Sequence, residues 1–229
     1  MTETPLSQRL SEVVRTLRSQ TDSSDTLDRI VETAAQWIGG GDCHVAVSLA
    51  RRGGIVETAA ATDDLPRRGD QLQYELHEGP CLDAAWKEDQ VYADCLSTDA
   101  RWPSWAPQVS RELGVNSMLC MQLFTNESTL GALNMYSTKP CAFDAPARAE
   151  ALAFAAHAAV AFAAAREIEG LNIAMDHRTT IGKAMGILME RFGLSDERAF
   201  DVLRRVSSHE NRRIYDVAQE ITSTGRMPG

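Results

Sequence analysis

The chain has 229 residues, 44% hydrophobic and 24% charged, enough for one ordinary domain with a real core plus a smaller second unit. That balance argues against disorder apart from the ends, and five cysteines at 43, 81, 95, 120 and 141, without a C-x-x-C pair, argue against a disulfide framework and a structural zinc site. The net charge of −9 counts against a nucleic-acid partner only until it is mapped: residues 1–175 carry 14 basic and 24 acidic side chains, residues 176–229 carry 9 and 8, with the arginines of the second segment clustered.

Met1-Thr2-Glu3-Thr4-Pro5-Leu6 has neither a basic start nor an apolar signal core, which predicts a cytoplasmic protein. Leu6, Leu10, Val13, Val14 and Leu17 fall at helical spacing, giving an N-terminal helix within 1–24. Asp22 to Asp25 then offer N-caps for a second helix carrying Leu27, Ile30, Val31, Ala34 and Trp37, ended by Gly39-Gly40-Gly41. Val45, Val47 and Leu49 alternate with His44, Ala46 and Ser48 as in a strand, and further strand-like stretches are expected at 54–62, 70–77, 116–124 and 130–136. Strands between flanking helices indicate an α+β or α/β domain.

From Asp144 the pattern is helical. The longest apolar run, Ala151 to Ala165, is mostly alanine, broken by His157, and shorter than the roughly 18 residues of a membrane span. It reads as a buried or dimer-facing helix, and no membrane partner is expected. Ala161, Ala164, Ile168, Leu171 and Met175 make a short coiled-coil stripe, so residues 166–177 are read as a helical linker that pairs two chains in a homodimer. The alternative is a linker packed on its own domain.

Residues 178–225 read as three short helices. Ile181, Ala184, Leu188 and Met189 form the inner side of the first, closed by Phe192-Gly193. Ser195 caps the second, with Asp196 and Glu197 in its first turn and Ala199, Val202, Leu203 and Val206 facing inward. Ile214, Val217, Ala218 and Ile221 mark the third. Outside this bundle, Arg204, Arg205, Ser207, Asn211, Arg212, Arg213 and Tyr215 gather around the second turn, with Lys183 on the first helix. Paired arginines with hydroxyl, amide and aromatic groups suit phosphate clamping, base-edge hydrogen bonding and stacking on looped RNA. The competing reading is a solvated basic turn, with Asn211 as a local turn residue.

The stretch from about Arg178 to Ile221 resembles an ANTAR domain, a bacterial module that binds paired RNA hairpins and prevents transcription termination. The resemblance rests on Ile181, Ala184, Gly186 to Met189, Gly193, Ala199, Phe200, Leu203, Arg204, Ser207, Asn211, Arg212 and Asp216 to Ala218; Met185 and Tyr215 depart from the usual pattern. Residues from about Asp25 to Ala165 resemble a GAF domain, through Glu78-Gly79-Pro80-Cys81, Asp99-Ala100-Arg101-Trp102-Pro103, Gly114-Val115-Asn116-Ser117 and Leu130 to Tyr136. That resemblance implies a sensor with a central antiparallel sheet and flanking helices. Its signal would be a small-molecule ligand or an upstream signalling protein, neither identified by the motifs.

Gly79-Pro80-Cys81 places Cys81 in the first turn of a helix, where free amide groups favour a thiolate, making it the redox-sensor candidate; the alternative is a small buried residue. Trp102, followed by Pro103 and Trp105, is a candidate ligand contact, or else packing. No metal ligand set, cofactor signature, glycine-rich phosphate loop or nucleophile elbow is expected. The whole chain therefore reads as a non-catalytic RNA-binding antitermination regulator acting on tandem stem-loops. The rivals are a protein-docking signalling adaptor that has lost RNA binding and a small-molecule reductase with Cys81 as nucleophile.

Overall fold

Asp22 opens the first full helix, α1 (Ser23–Trp37): its carboxylate accepts the amides of Ser24 at 2.7 Å and Asp25 at 3.4 Å, satisfying donors that a helix start leaves free. The structure is a computed structural model that describes residues 11, 14–17, 22–38, 42–51, 54–86, 89–125 and 128–226. Of the helix expected within 1–24, residues 14–17 are helical and Leu17 is buried, while Leu6, Leu10 and Val13 lie outside the described residues, as do Gly39 to Gly41. The chain divides into two compact units, Met1–Glu167 and Ile168–Gly229.

In the first unit, α1 leads into β1 (Cys43–Ala50) and β2 (Val56–Ala61), then α2 (Asp64–Leu76), α3 (Pro80–Trp86), β3 (Gln90–Ala93), a 3-10 turn at Leu96–Thr98, α4 (Trp105–Leu113), β4 (Ser117–Phe124) and β5 (Thr129–Ser137). The five strands form an antiparallel sheet in the order β2-β1-β5-β4-β3. Helices cover both faces, so β1 and β5 are buried nearly throughout rather than alternating with solvent. One face presents Val45, Val47, Leu119, Met121, Leu133 and Met135 to α1 and to Phe154, Ala158 and Phe162 of α5 (Ala145–Phe192). The other presents Met118, Cys120, Ala132 and Tyr136 to α2, α3 and α4. Gly131 keeps β5 close to β1, for a Cβ there would stand 1.8 Å from the Ser48 carbonyl oxygen.

One strand expectation changes, and one strand, β3, has no counterpart among the expectations. Residues 70–77 are helical except for His77: Asp63 caps α2 through the Leu65 amide at 2.9 Å, and Pro66, Gly69, Asp70 and Gln73 recur at helical spacing on its buried side. Four-residue β3, in contrast, is too short to stand out as an alternating run. Asp144 starts α5 by accepting the Ala147 amide at 2.9 Å. Among the described residues α5 alone is long and apolar enough to cross a membrane, a longer apolar stretch than the Ala151–Ala165 run read from sequence. The sheet accounts for that composition: Ala151, Phe154, Ala155, Ala158, Ala159 and Phe162 are core residues, and alanine permits close helix-on-sheet packing.

In the second unit the last turns of α5 pack with α6 (Asp196–Glu210) and α7 (Ile214–Thr224) around Ala184, Leu188, Ala199, Leu203, Val217, Ala218 and Ile221. Gly193, at φ 63°, turns the chain out of α5 in the left-handed conformation that glycine adopts without a Cβ penalty. Ser195 holds the N-cap position of α6, its carbonyl accepting the Ala199 amide at 2.9 Å, although its side chain makes no cap bond.

Candidate functional site

The basic groups of the second unit fall into two sets. The first holds the turn between α6 and α7. Asn211 ends α6 in the left-handed conformation, φ 51° and ψ 43°, with its amide donating to the Ser207 carbonyl. The Arg212 amide donates to that same carbonyl at 3.0 Å, and the Ser207 hydroxyl returns a 2.5 Å bond to the Arg212 carbonyl. The Arg212 guanidinium reaches Glu210 at 2.8 Å and Glu220 at 2.7 Å, and these carboxylates, Glu220 first, push its pKa up. Tyr215 donates to Asp176 at 3.2 Å and lies against the His177 ring with centroids 4.0 Å apart. The hydroxyl of Ser207, the guanidinium of Arg212 and the ring of Tyr215 are thus engaged within the bundle.

The second set faces solvent. Arg204 and Arg205 line a shallow groove with Ser208 and His209 on the outer side of α6. Arg204 pairs with Asp201 at 2.9 Å, an exposed i, i+3 pair of the kind that contributes little and yields to a competing anion. Arg205 has no ion pair among the described residues. Arg213 is exposed and bonded to Asp216 at 3.0 Å. Lys183 is exposed in a separate groove with Gly186, Ile187, Glu190 and Thr222.

In the first unit the polar groups converge inward. Asp70 on α2 is fully buried against the sheet. Its Oδ1 accepts from Tyr136 at 2.5 Å and Asn134 at 2.9 Å, and its Oδ2 from Ser48 at 3.0 Å and Thr58 at 2.9 Å. Burial pushes this carboxyl above its ordinary value, against the pull of those donors, led by Tyr136. Gln73 bonds the Tyr136 hydroxyl at 2.8 Å and accepts the Cys81 amide at 2.7 Å. The Asn134 side-chain amide also donates to Ser48 at 2.8 Å and to the Cys81 sulfur at 3.1 Å, whereas its Oδ1 is buried without a partner among the described residues. Sequence reasoning missed this cluster. Its one visible signal is an asparagine inside the apolar run Leu130 to Tyr136.

Cys81 lies in the first turn of α3 as the sequence predicted, but the thiolate expectation does not hold. The side chain is fully buried, and desolvation first, then the nearby Asp70, pushes its pKa well up, opposite to the influence of a helix start. Trp102 is also buried: its indole donates to Asp83 at 2.9 Å, it meets Trp105 edge-to-face at 6.1 Å, and Arg101 stacks on it at 4.3 Å. Trp105 donates to the Gly69 carbonyl at 3.1 Å. Both indoles are held in the packing between α2, α3 and α4.

A five-stranded sheet with a buried polar cluster under the helices of one face, followed by a small helical bundle with exposed arginines on α6, defines a two-unit architecture. The GAF domain family model matches residues 20–163 and the ANTAR domain model residues 169–221, so the chain belongs to the GAF family and carries an ANTAR domain behind its sensor domain. This is the layout of a sensor joined to an RNA-binding antitermination module. No curated protein matches the chain.

Among solved structures, the GAF domain of a phosphoenolpyruvate-protein phosphotransferase from Acinetobacter is 18% identical, with TM-score 0.54, covering 74% of this chain and 99% of that one. A domain of a sensor histidine kinase from Sinorhizobium meliloti is 14% identical, with TM-score 0.53 and coverages of 65% and 95%. The free methionine-R-sulfoxide reductase from Neisseria meningitidis, in complex with its substrate, is 15% identical, with TM-score 0.55 and coverages of 71% and 90%. At these identities the likeness establishes the fold alone.

Proposed function

We propose that the protein is a cytoplasmic, homodimeric antitermination regulator whose sensor domain controls the binding of two RNA stem-loops. The working division is an N-terminal helix at 1–24, a sensor at 25–165, a helical linker at 166–177 and an RNA-binding bundle at 178–225. The observation that carries this reading is the exposed arginine pair Arg204 and Arg205 on α6, inside a segment of ANTAR sequence.

Arg204, Arg205, Arg213 and Lys183 hold phosphates, and the exposed Asn211 side chain reads a loop base. Ser207, Arg212 and Tyr215, engaged within the bundle, set the shape of the turn that presents them. Two weakly binding bundles gain affinity only when both stem-loops are reached together, so linker geometry acts as the switch through effective concentration. In the sensor, the interior cluster with the unpartnered Asn134 oxygen receives the signal of a small molecule or a partner protein, with Cys81 and Trp102 at its margin. The buried thiol of Cys81 disfavours the reductase reading, which needs a thiolate.

The exposed aromatic rings of Phe192 and Phe200 favour the second reading, a protein-docking adaptor. The test is binding of the full chain to RNA with two short stem-loops or with one, in parent and Arg204→Ala/Arg205→Ala protein, across a salt series. Tight binding that requires both loops and both arginines is expected. A folded dimer that binds neither RNA at low salt overturns the RNA reading in favour of the adaptor.

A further inference from the structure

We propose that Cys95 and Cys141 are a reversible redox pair that closes an intramolecular disulfide on exposure to a hydroperoxide. Cys95 follows the end of β3, and Cys141 stands just ahead of α5. The Cys141 amide donates to the Asp94 carbonyl at 2.8 Å, and that carbonyl carbon is bonded to the Cys95 nitrogen. Standard backbone dimensions then hold the two Cα atoms within about 6.5 Å of each other. A disulfide usually spans roughly 4.4–6.8 Å between Cα atoms, so the backbones already stand at bridging distance. The same two segments are held together a second time, by the Arg148 guanidinium lying over the Tyr92 ring at 4.6 Å.

The five thiols differ in reactivity. Cys43, Cys81 and Cys120 are buried, and desolvation pushes all three up, Cys43 to about 12. Cys95 is partly exposed with its sulfur 3.2 Å from the Ser97 hydroxyl; the hydroxyls of Ser97 and Thr98, then their amides, hold its thiol below the ordinary value. Cys141 is exposed, in a left-handed backbone conformation at φ 53°. Cys95 is therefore the attacking thiolate and Cys141 the resolving thiol.

The Cys95 thiolate attacks one peroxide oxygen, the O–O bond breaks, and hydroxide leaves with a sulfenic acid formed at Cys95. Cys141 then attacks the Cys95 sulfur: the S–S bond forms, the S–O bond breaks, and the departing oxygen takes up a proton as water. Two thiols and one hydrogen peroxide give one disulfide and two waters, the peroxide gaining the two electrons that the sulfurs lose. A dithiol reductant reverses the bridge. The closed bond would tie the end of β3 to the entry of α5, the helix that continues into the second unit.

The test treats the full chain with hydrogen peroxide, blocks free thiols and maps cysteine peptides by mass spectrometry, with Cys95→Ser, Cys141→Ser and Cys81→Ala proteins alongside. The expected result is a Cys95–Cys141 peptide in monomeric parent and Cys81→Ala chains, reversed by dithiothreitol. Cys141→Ser should stop at a trappable Cys95 sulfenic acid, and Cys95→Ser should leave Cys141 reduced. The proposal is overturned if the folded parent keeps both thiols free in excess peroxide, or if oxidation joins other cysteines or separate chains. The readout is chemical and independent of RNA binding, so either idea can fail without the other.

Discussion

Arg212 and Glu220 meet at 2.7 Å across the turn that joins α6 to α7, and Glu210 holds the same guanidinium from the other side at 2.8 Å. The arginine is thus a fastener of the bundle. Arg212→Ala is expected to lower the thermal midpoint of the second unit, and Glu220→Gln to lower it by a similar route. Because the pair cooperates, the double variant should lose less than the two single losses added together, which a double-mutant cycle measures. Full additivity would show that the two side chains act independently.

Arg205 makes the opposite case. It is exposed without an ion pair among the described residues, so Arg205→Ala should leave the melting curve unchanged. If it contacts an RNA phosphate, the slope of log affinity against log salt should fall by about 0.7 for single-stranded contacts. An unchanged slope would move the phosphate site off the outer side of α6.

The buried carboxyl of Asp70 leads to a prediction about stability and one about pH. Asp70→Ala leaves the hydroxyls of Ser48, Thr58 and Tyr136 and the amide of Asn134 without their acceptor. At about 1–3 kcal/mol for each unsatisfied buried group, partly relieved by water or rearrangement, a loss of at least ~3 kcal/mol in urea unfolding is expected. Burial raises the folded carboxyl above its ordinary value of 3.8, so the folded state retains a proton that the unfolded chain releases. The contribution of Asp70 is then complete below the unfolded value and is lost as pH rises through the folded one, with a slope of at most about 1.4 kcal/mol per pH unit. Urea unfolding of parent and Asp70→Asn proteins from acidic to neutral pH should show the parent losing ground relative to the variant as pH rises. The reverse trend would mean that the four donors outweigh burial and keep the carboxylate ionised.

The Asp70 cluster also marks where sequence reasoning stops. Asp70 meets Asn134 across 64 positions, and neither residue carries a local pattern that names the other. The three C-terminal helices were legible because each shows its inner side within one or two turns, as Val217, Ala218 and Ile221 do. Residues 70–77 misled because Leu72, Tyr74 and Leu76 alternate like a strand, while the decisive Asp63 cap and the buried Gly69 and Gln73 carry no strong hydrophobic signal. The arginine cluster was visible as composition. Its division into a structural Arg212 and an exposed Arg205 depends on Glu210 and Glu220, whose geometry no spacing rule supplies.

Gly131 tests the sheet itself. Its backbone, at φ 156°, passes so close to β1 that a Cβ would stand 1.8 Å from the Ser48 carbonyl oxygen and 2.9 Å from the Leu49 Cα. Both obstacles are backbone, which no rotamer change can clear. Gly131→Ala should therefore cost ~3 kcal/mol or more, or prevent folding of the first unit. Circular dichroism during urea unfolding provides the check, with Gly170→Ala as the comparison: its added Cβ meets nothing within 4 Å among the described residues, and about 1 kcal/mol of stabilisation is expected from helix propensity.

The stripe on α5 connects the fold to the proposed assembly. Ile168, Leu171 and Met175 are 43%, 59% and 67% exposed, large apolar side chains spaced three and four residues apart. Such a seam is costly to leave in water, at about 25 cal/mol for each Å² of apolar surface, and helical pairing would bury it. Leu171→Glu/Met175→Glu should convert a dimer to a folded monomer in sedimentation or light scattering. Each surface bundle would remain intact, so binding to a single stem-loop should survive while the gain from a second loop disappears. If the variant stays dimeric, another surface pairs the chains; if it becomes monomeric yet keeps the two-loop advantage, the linker is not what brings two binding faces to one RNA.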